Sequence, residues 1–452
     1  MLSNLYRNIA DFYTKKRTQR LLKKRKCFFR KKGDNCPKYL KNNSEEKWFL
    51  DFLKDKNFCR DDYAYAKNVA KLIIPEKFSF TSNPVETIYA LQRLVGMYYD
   101  SKVKKISIDH CNCKELELSA SLIMDAILWE IDCRRKRIGK KIIISGIMKR
   151  EKHNKDNENI LELLACSGVL KHLGVVNNDN LPSHIETLDF YDDYIKLHKN
   201  VDHKYSGEAV AKYFDRCYQK CGFKISDEGI NKISNMVSEI VLNCDNHSGK
   251  RPNRWFCQGH YHVGENKECS GPVGECQLTI VSLGYSFYES IENCGTDYIK
   301  NKLSEQYTKV VGIWRNFFEK LRKGKERDVF YLLYCLQENI SRYKDNTPYL
   351  DRGKGTVTLF ENFQELGMTS DGKSPTLSIT SGSGHIVFDG KYKMMKSIEG
   401  VSVIAFNSNN DLNAEPDNTY VNTIKTFFPG VVINLKFYID KAYLEKSVEE
   451  RL

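Results

Sequence analysis

Three side chains with chemical potential stand four residues apart: Glu239, Asn243 and His247, in the run Glu239-Ile-Val-Leu-Asn243-Cys-Asp-Asn-His247. On a helix, the spacing i, i+4, i+8 projects all three from nearly one face. A carboxylate, a carboxamide and an imidazole so placed can take a proton, hold a hard cation and donate hydrogen bonds. An ordinary solvated helix face has the same composition. Two glycine-bearing stretches lie downstream, Ser282-Leu-Gly284-Tyr-Ser286 and Arg352-Gly353-Lys354-Gly355-Thr356. Cys257, His260, His262, Cys269 and Cys276 invite a zinc reading, but strand alternation scatters them and no CxxC pair accompanies them. Cys111 and Cys113 are too close together to be two tetrahedral ligands without distant partners. Cys217 and Cys221 share a helix face and read as core. No G-x-S-x-G elbow is present, and Gly382-Ser-Gly384 falls in an expected hairpin.

The elements that must position these residues are readable. Ser226 is a natural N-cap, with Asp227 and Glu228 in the first turn of a helix, DEGINKISNMVSEIVLNCDNHSG, that Gly249 ends. Ile233, Met236, Val237, Ile240 and Val241 form its apolar stripe. A helix, GEAVAKYFDRCYQKC, precedes it. NRWFCQGHYHV and GECQLTIVSLG read as strands, and a mainly helical segment spans 293–345. A helix opens at Gly355-Thr356, TLSITSGSGHIVFDG reads as a hairpin, and FFPGVVINLKFYI as a final strand. Upstream, residues 45–100 read as helices: EEKWFLDFLKD, DDYAYAKNVAKLI, and PVETIYALQRLVGMYYD capped by Asn83. From Lys104 strand, helix, strand and helix alternate, an α/β unit.

The chain has 452 residues, enough for several cores, and no stretch reaches the roughly 18 consecutive apolar residues of a membrane span. The first residues lack a secretory h-region, which places the chain in the cytoplasm. Fifteen scattered cysteines, an odd number, read as reduced thiols. Residues 1–32 hold twelve Lys or Arg against the single acid Asp11, so nearly all of the net charge of +13 lies there. Such an arm suits contact with nucleic-acid phosphates or an anionic membrane surface, and equally a solvated tail.

Residues 205–440 resemble the gyrase, histidine-kinase and MutL type (GHKL) ATPase superfamily, on the run from Glu239 to His247 and the order of the strands, glycine turns and helices after it. The resemblance implies a Bergerat-type α/β sandwich that takes ATP and Mg²⁺. Glu239 would deprotonate the attacking water, Asn243 would hold the metal, and His247 would lie near the phosphates. Ser282 and Gly284 would occupy the adenine box, the helices after it would form a nucleotide lid, and Arg352, Gly353, Lys354, Gly355 and Thr356 would cradle phosphate. The family's adenine-reading Asp and its supporting Thr are here Ser282 and Val431. The loss of such a bond weakens binding by on the order of 1.5 to 3 kcal/mol.

Residues 101–200 resemble the STAS fold of anti-sigma-factor antagonists, on Ile108-Asp109, the helix from Glu117, Ile142 to Ile144 and Leu164 to Leu173. That family's phosphoacceptor Ser falls near Leu118 or Ser119, and its preceding Asp is Glu117. The expected organisation is a basic arm (1–44), a helical segment (45–100), a STAS-like domain (101–200), a GHKL ATPase domain (201–440) and a C-terminal helix (441–452): an α/β multi-domain chain. The implied role is a slowly hydrolysing, Mg-dependent ATP switch in signalling, stress response or anti-phage defence. The rivals are a Ser/Thr protein kinase of the anti-sigma type and a degenerate scaffold recruiting protein or nucleic acid. No helix bearing a phosphoacceptor His precedes the Glu239 run. An unidentified protein partner and a homodimer are also expected.

Overall fold

The computed structural model describes residues 49–53, 64–66, 68–139, 142–147, 155–172, 186–189, 203–220, 222–247, 254–265, 272–321, 323–338, 340, 355–363, 372–396 and 400–440. The expected arm (1–44), the expected C-terminal helix (441–452) and Arg352, Gly353 and Lys354 lie outside the described residues. The chain is a mixed α/β protein that divides into two units, 1–185 and 186–452. Among the described residues no helix is long and apolar enough to cross a membrane.

The first unit comprises α1 (Phe49–Leu53), β1 (Ala64–Ala66), β2 (Val69–Ile73), β3 (Lys77–Phe78), α2 (Pro84–Tyr99), β4 (Lys105–Asp109), β5 (Glu115–Leu116), α3 (Leu118–Ile138), β6 (Ile143–Ile147), α4 (Lys155–Cys166) and α5 (Val169–His172). Its sheet runs β1-β2-β4-β6, with β2, β4 and β6 parallel and β1 antiparallel to β2. The helical reading of DDYAYAKNVAKLI is thus overturned. Asn68, at φ +65°, turns the chain so that Ala66 faces Val69, and β2 then pairs residue for residue with β4. Ala70 and Leu72 alternate inward, as a half-buried strand requires. The boundary expected at residue 101 falls inside this unit, because β2 and β4 belong to one sheet. Pro84 opens α2 as expected, but Asn83 makes no side-chain cap; its amide donates to the Lys77 carbonyl instead. Buried residues surround α3 on every side, and Gly139, at φ +69°, ends it.

The second unit comprises β7 (Glu186–Asp189), α6 (His203–Lys220), α7 (Asp227–His247), β8 (Arg254–Glu265), β9 (Pro272–Leu283), α8 (Phe287–Cys294), α9 (Asp297–Val311), α10 (Arg315–Lys320), α11 (Glu326–Cys335), α12 (Gly355–Phe363), β10 (Thr376–Phe388), β11 (Met395–Lys396), β12 (Ser402–Val403) and β13 (Val421–Asp440). Its antiparallel sheet runs β10-β13-β9-β8-β7. Residues 186–189, expected in the STAS-like domain, pair here with β8. The expected hairpin of TLSITSGSGHIVFDG is one continuous strand, β10. Its Ser-Gly-Ser-Gly phrase forms an irregularity, with Gly382 at φ +60° and the register against β13 shifting on either side. The inserted residues lie on β13, whose Pro429 falls in the gap between the paired positions 428 and 431.

One face of this sheet is apolar. Cys257 and Tyr261 of β8, Leu278 and Ile280 of β9, Ile433 and Leu435 of β13, and Leu377 and Ile379 of β10 share a core with α6 and α7. Phe214 of α6 meets Phe437 edge-on at 5.0 Å. The opposite face is a polar ladder: Thr279 donates to Asn434, which donates to Ser378, and Lys436 pairs with Glu275 at 2.8 Å. The helices after β9 are core elements. Trp314, Phe317, Phe330 and Leu333 join the same cluster, and α11 packs on β10 and β13. The segment expected as a lid therefore helps to build the unit, because ERDVFYLLYC is apolar on most of its circumference.

His110 follows β4, 3% exposed, and neither of its ring nitrogens has a hydrogen-bond partner among the described residues. Burial pulls its pKa from 6.5 down to about 4, against the opposing pull of Asp109. The unfolded chain then binds more protons between those values, so the fold loses stability as pH falls. Urea unfolding should show a loss of about 3 kcal/mol between pH 7 and pH 4 that His110→Phe abolishes. An unchanged pH slope in the variant would refute the assignment.

Candidate functional site

Helix α7 begins as the sequence requires. Ser226 Oγ accepts from Gly229 N at 3.1 Å, and Asp227 and Glu228 lie in the first turn. Met236, Val237, Ile240, Val241 and Cys244 are buried toward the sheet, while Glu239 is exposed and Asn243 half-buried one turn later. Glu239 and Asn243 therefore share the helix flank that rises from the sheet toward solvent. His247 is the last residue of the helix, and its side chain is outside the described residues. Helix α6 crosses α7 so closely that a Cβ at Gly207 would stand 2.2 Å from both the Ser234 carbonyl oxygen and Ser238 Oγ. Helix α12, whose first residues are Gly355 and Thr356, packs on α7.

Beside Cys244 lies a row of four residues facing the helices across adjacent strands: Trp255 on β8, Ser282 on β9, Val431 on β13 and Ser381 on β10. Ser282 stands opposite both Trp255 and Val431, and Val431 opposite Ser381. The two positions expected to read the base are thus direct cross-strand neighbours. Each polar group in the row is already engaged. The Ser282 hydroxyl hydrogen-bonds with the Cys244 thiol. Trp255 Nε1 donates to Asp245 Oδ1 of α7 at 3.0 Å, and Ser381 Oγ accepts from Phe287 N at 2.9 Å. Burial pushes the Cys244 thiol up to about 12 and raises Cys257 further, so both stay neutral and unreactive.

The stretch from Ser282 to Ser286 is a tight corner. Gly284 N donates to the Pro429 carbonyl at 3.3 Å, and Ser286 caps α8 in a reciprocal pair with Glu289. Gly430, at φ +139°, presses on this corner; a Cβ there would stand 2.0 Å from the Ser282 carbonyl oxygen. Behind the corner, Asp328 of α11 is 6% exposed and lies against Gly382, and its Oδ1, like the Ser383 hydroxyl, has no hydrogen-bond partner among the described residues. Burial raises its pKa from 3.8 to about 6, opposed by Lys325, whose Nζ is 3.9 Å away.

The flank and the corner differ in what they can hold. An exposed carboxylate and a half-buried carboxamide oxygen one turn apart fit the hard-oxygen preference of Mg²⁺ and leave a base accessible to water. No carboxylate stands in the row of Trp255, Ser282, Val431 and Ser381, which therefore does not fit adenine recognition by carboxylate. The sequence names Glu239, Asn243, Ser282 and Gly284 as candidates; Cys244, Asp245, Trp255, Ser381 and Asp328, which the fold sets near them, carry no such signal. The spacing of Cys244 from Ile240 and Val241 marks it as buried, but its partner across the fold has no local signal.

Other sequence candidates separate. Ser119 is fully buried and donates to Glu117 at 2.8 Å; the same carboxylate accepts from Phe80 N, Thr81 N and Thr81 Oγ1. A hydroxyl so enclosed is not presented to a kinase. Cys257 and His260 point to opposite faces of β8, and the described residues contain no cluster of three or more metal-ligating side chains. No protein-family model, curated protein or solved structure matches the chain.

Two substitutions probe this corner. Gly430→Ala forces both a disfavoured φ and a backbone overlap, and should cost about 3 kcal/mol or more in urea unfolding; a loss under 1 kcal/mol would show that the corner yields freely. Asp328 has a folded pKa above its unfolded value, so its contribution is full below about pH 4 and lost as pH rises through about 6. Asp328→Asn should therefore stabilise the protein at pH 7.5 by up to about 3 kcal/mol and remove that slope. Destabilisation at pH 7.5 would contradict it.

Proposed function

We propose that the second unit binds a nucleoside triphosphate with Mg²⁺ and hydrolyses it slowly, as a regulatory switch. The observation that carries this reading is the meeting of α7 with the Ser282–Val431 row through Cys244. It brings a solvent-facing carboxylate and carboxamide beside a protein-lined corner. Support also comes from α12, which opens at Gly355-Thr356 and packs on α7. Backbone N–H groups at a helix start favour phosphate, and Arg352 and Lys354 just before it add positive charge.

In this reading Asn243 Oδ1 ligates the metal, which neutralises phosphate charge when bound. Glu239 orients water and takes its proton, and its exposure leaves it reachable by solvent. His247, Gly353, Gly355 and Thr356 complete the phosphate side, while Ser282 and Gly284 line the base side. The triphosphate is the substrate, and the bond broken lies between its terminal phosphoryl group and the oxygen bridging it to the next phosphate.

Glu239→Gln should retain Mg-dependent nucleotide binding in calorimetry while phosphate release falls on the order of a hundredfold. Asn243→Ala should remove the Mg²⁺ dependence of binding. Absence of any thermal shift or binding heat with magnesium nucleotides would sink the reading, as would full turnover in Glu239→Gln.

A further inference from the structure

The turn that follows β10 and the segment that leads into β13 meet around one exposed cation. The Lys391 ammonium lies 4.9 Å from the centroid of the Tyr392 ring, 4.9 Å from that of Tyr420, and 3.2 Å from Asp417 Oδ2. The two rings meet edge-on, at 5.3 Å and 86°, so they form two walls of a corner. Tyr392 donates its hydroxyl to Asp417 at 2.9 Å, and Tyr420 donates to Asp389 at 3.0 Å. A phenol bonded to a carboxylate is richer in ring electrons, and its face then attracts a cation more strongly. Aromatic faces and carboxylates together line a cation site.

The walls of this site are fixed, and its occupant is not. Asp417 accepts from Thr419 N at 2.9 Å, donates its own amide to the Phe406 carbonyl at 2.8 Å, and receives Tyr420 N and Val421 N on its carbonyl. Tyr392 meets the buried Phe406 edge-on at 6.1 Å, and the Tyr420 carbonyl accepts from Val387 N of β10. Asp389 is held by the Lys391 amide at 3.0 Å. The Lys391 side chain, by contrast, is 54% exposed. Ordering such a side chain costs rotamer freedom comparable to what an exposed ion pair and a cation–π contact return, so it can leave readily. Its ammonium also shows that the corner has room for such a group.

We propose that Tyr392, Tyr420, Asp389 and Asp417 form a recognition site for the dimethylammonium group of a dimethylated lysine on a partner protein, with Lys391 as an internal plug. An unmodified lysine from outside presents the same group as Lys391 and competes with an intramolecular one, whose effective concentration is on the order of millimolar. Methylation keeps the charge but makes the ammonium easier to remove from water, which favours contact with the ring faces. An N–H must remain, because Asp417 Oδ2 accepts a hydrogen bond at the position that Lys391 now fills. Of the methylated forms that keep an N–H, the dimethyl form is the least hydrated. Trimethyllysine and choline have no N–H to give. The site goes beyond the nucleotide reading of the second unit and does not depend on it.

The test is saturation-transfer NMR of the full chain with Nα-acetyl-lysine amide in its unmethylated, dimethyl and trimethyl forms, and with choline. In Lys391→Ala the N-methyl protons of the dimethyl probe should show transfer, with an affinity about tenfold or more above that of the wild type. The other probes should bind that variant at least about threefold more weakly than the dimethyl probe. Absence of transfer to the dimethyl probe in Lys391→Ala overturns the proposal, as does an equal affinity in the wild type. Any other order of affinities, choline first included, overturns it as well, since the site would then ignore Asp417. Adding Tyr420→Leu to Lys391→Ala should abolish transfer; if that variant does not fold, Tyr392→Leu replaces it with the same expectation. Transfer that survives the loss of a ring would mean that the probe binds elsewhere, and the proposal falls.

Discussion

The ladder between β9 and β13 is the interaction on which the second unit depends. It runs without interruption from Leu283 opposite Gly430 to Val273 opposite Asp440, and it joins segments about 150 residues apart in the chain. Because side chains alternate between faces, a slip of β13 by one residue would turn Ile433 and Leu435 out of the core and bring Asn434 inward. It would also separate Ser282 from Val431. The register is closed at one end by geometry that tolerates no other residue. Gly430 sits against the Ser282 carbonyl, and Pro429, which cannot donate to a ladder, lies where β13 leaves β9. Core packing and the candidate site are thus two results of one pairing.

How much of this was legible depended on how local its cause was. Helix α7 could be read from Ser226 to His247 because a cap, first-turn acids and an apolar stripe coincide. Strands β8 and β9 carry aromatic and β-branched alternation. The hairpin of β1 and β2 was hidden, because Ala, Lys and Asn suit a helix surface as well as a strand, and pairing with β4 decided between them. The glycines in β10 looked like a turn. Whether Gly382 makes a turn or an irregularity depends on β13, which supplies the extra residues. Cys244 is the clearest case at the site: its burial follows from helical spacing, but its bond to Ser282 exists only once α7 lies on the sheet.

The two sides of α7 place their polar groups in different media. Glu239 is exposed to water. Cys244 and Ser282 lie in a medium where an uncommitted polar group is costly and meet each other there, whereas Asp328 leaves one carboxylate oxygen without a hydrogen bond. The first unit meets the same constraint with Glu117, whose carboxylate gathers two backbone amides and two hydroxyls. Satisfaction of this kind holds loops in place, and it also withdraws those groups from chemistry with anything outside.

The position of β13 has a consequence for synthesis. It is the last described strand of the chain, yet it lies between β9 and β10, so β9 and β10 have no common partner until residues 421–440 have left the ribosome. Until then, the edges of β9 and β10 expose unpaired backbone groups, and the apolar residues of α7 have only part of the surface they will cover. A chain stopped before β13 would keep the β9-β8-β7 pairing but leave β10 with no strand to join.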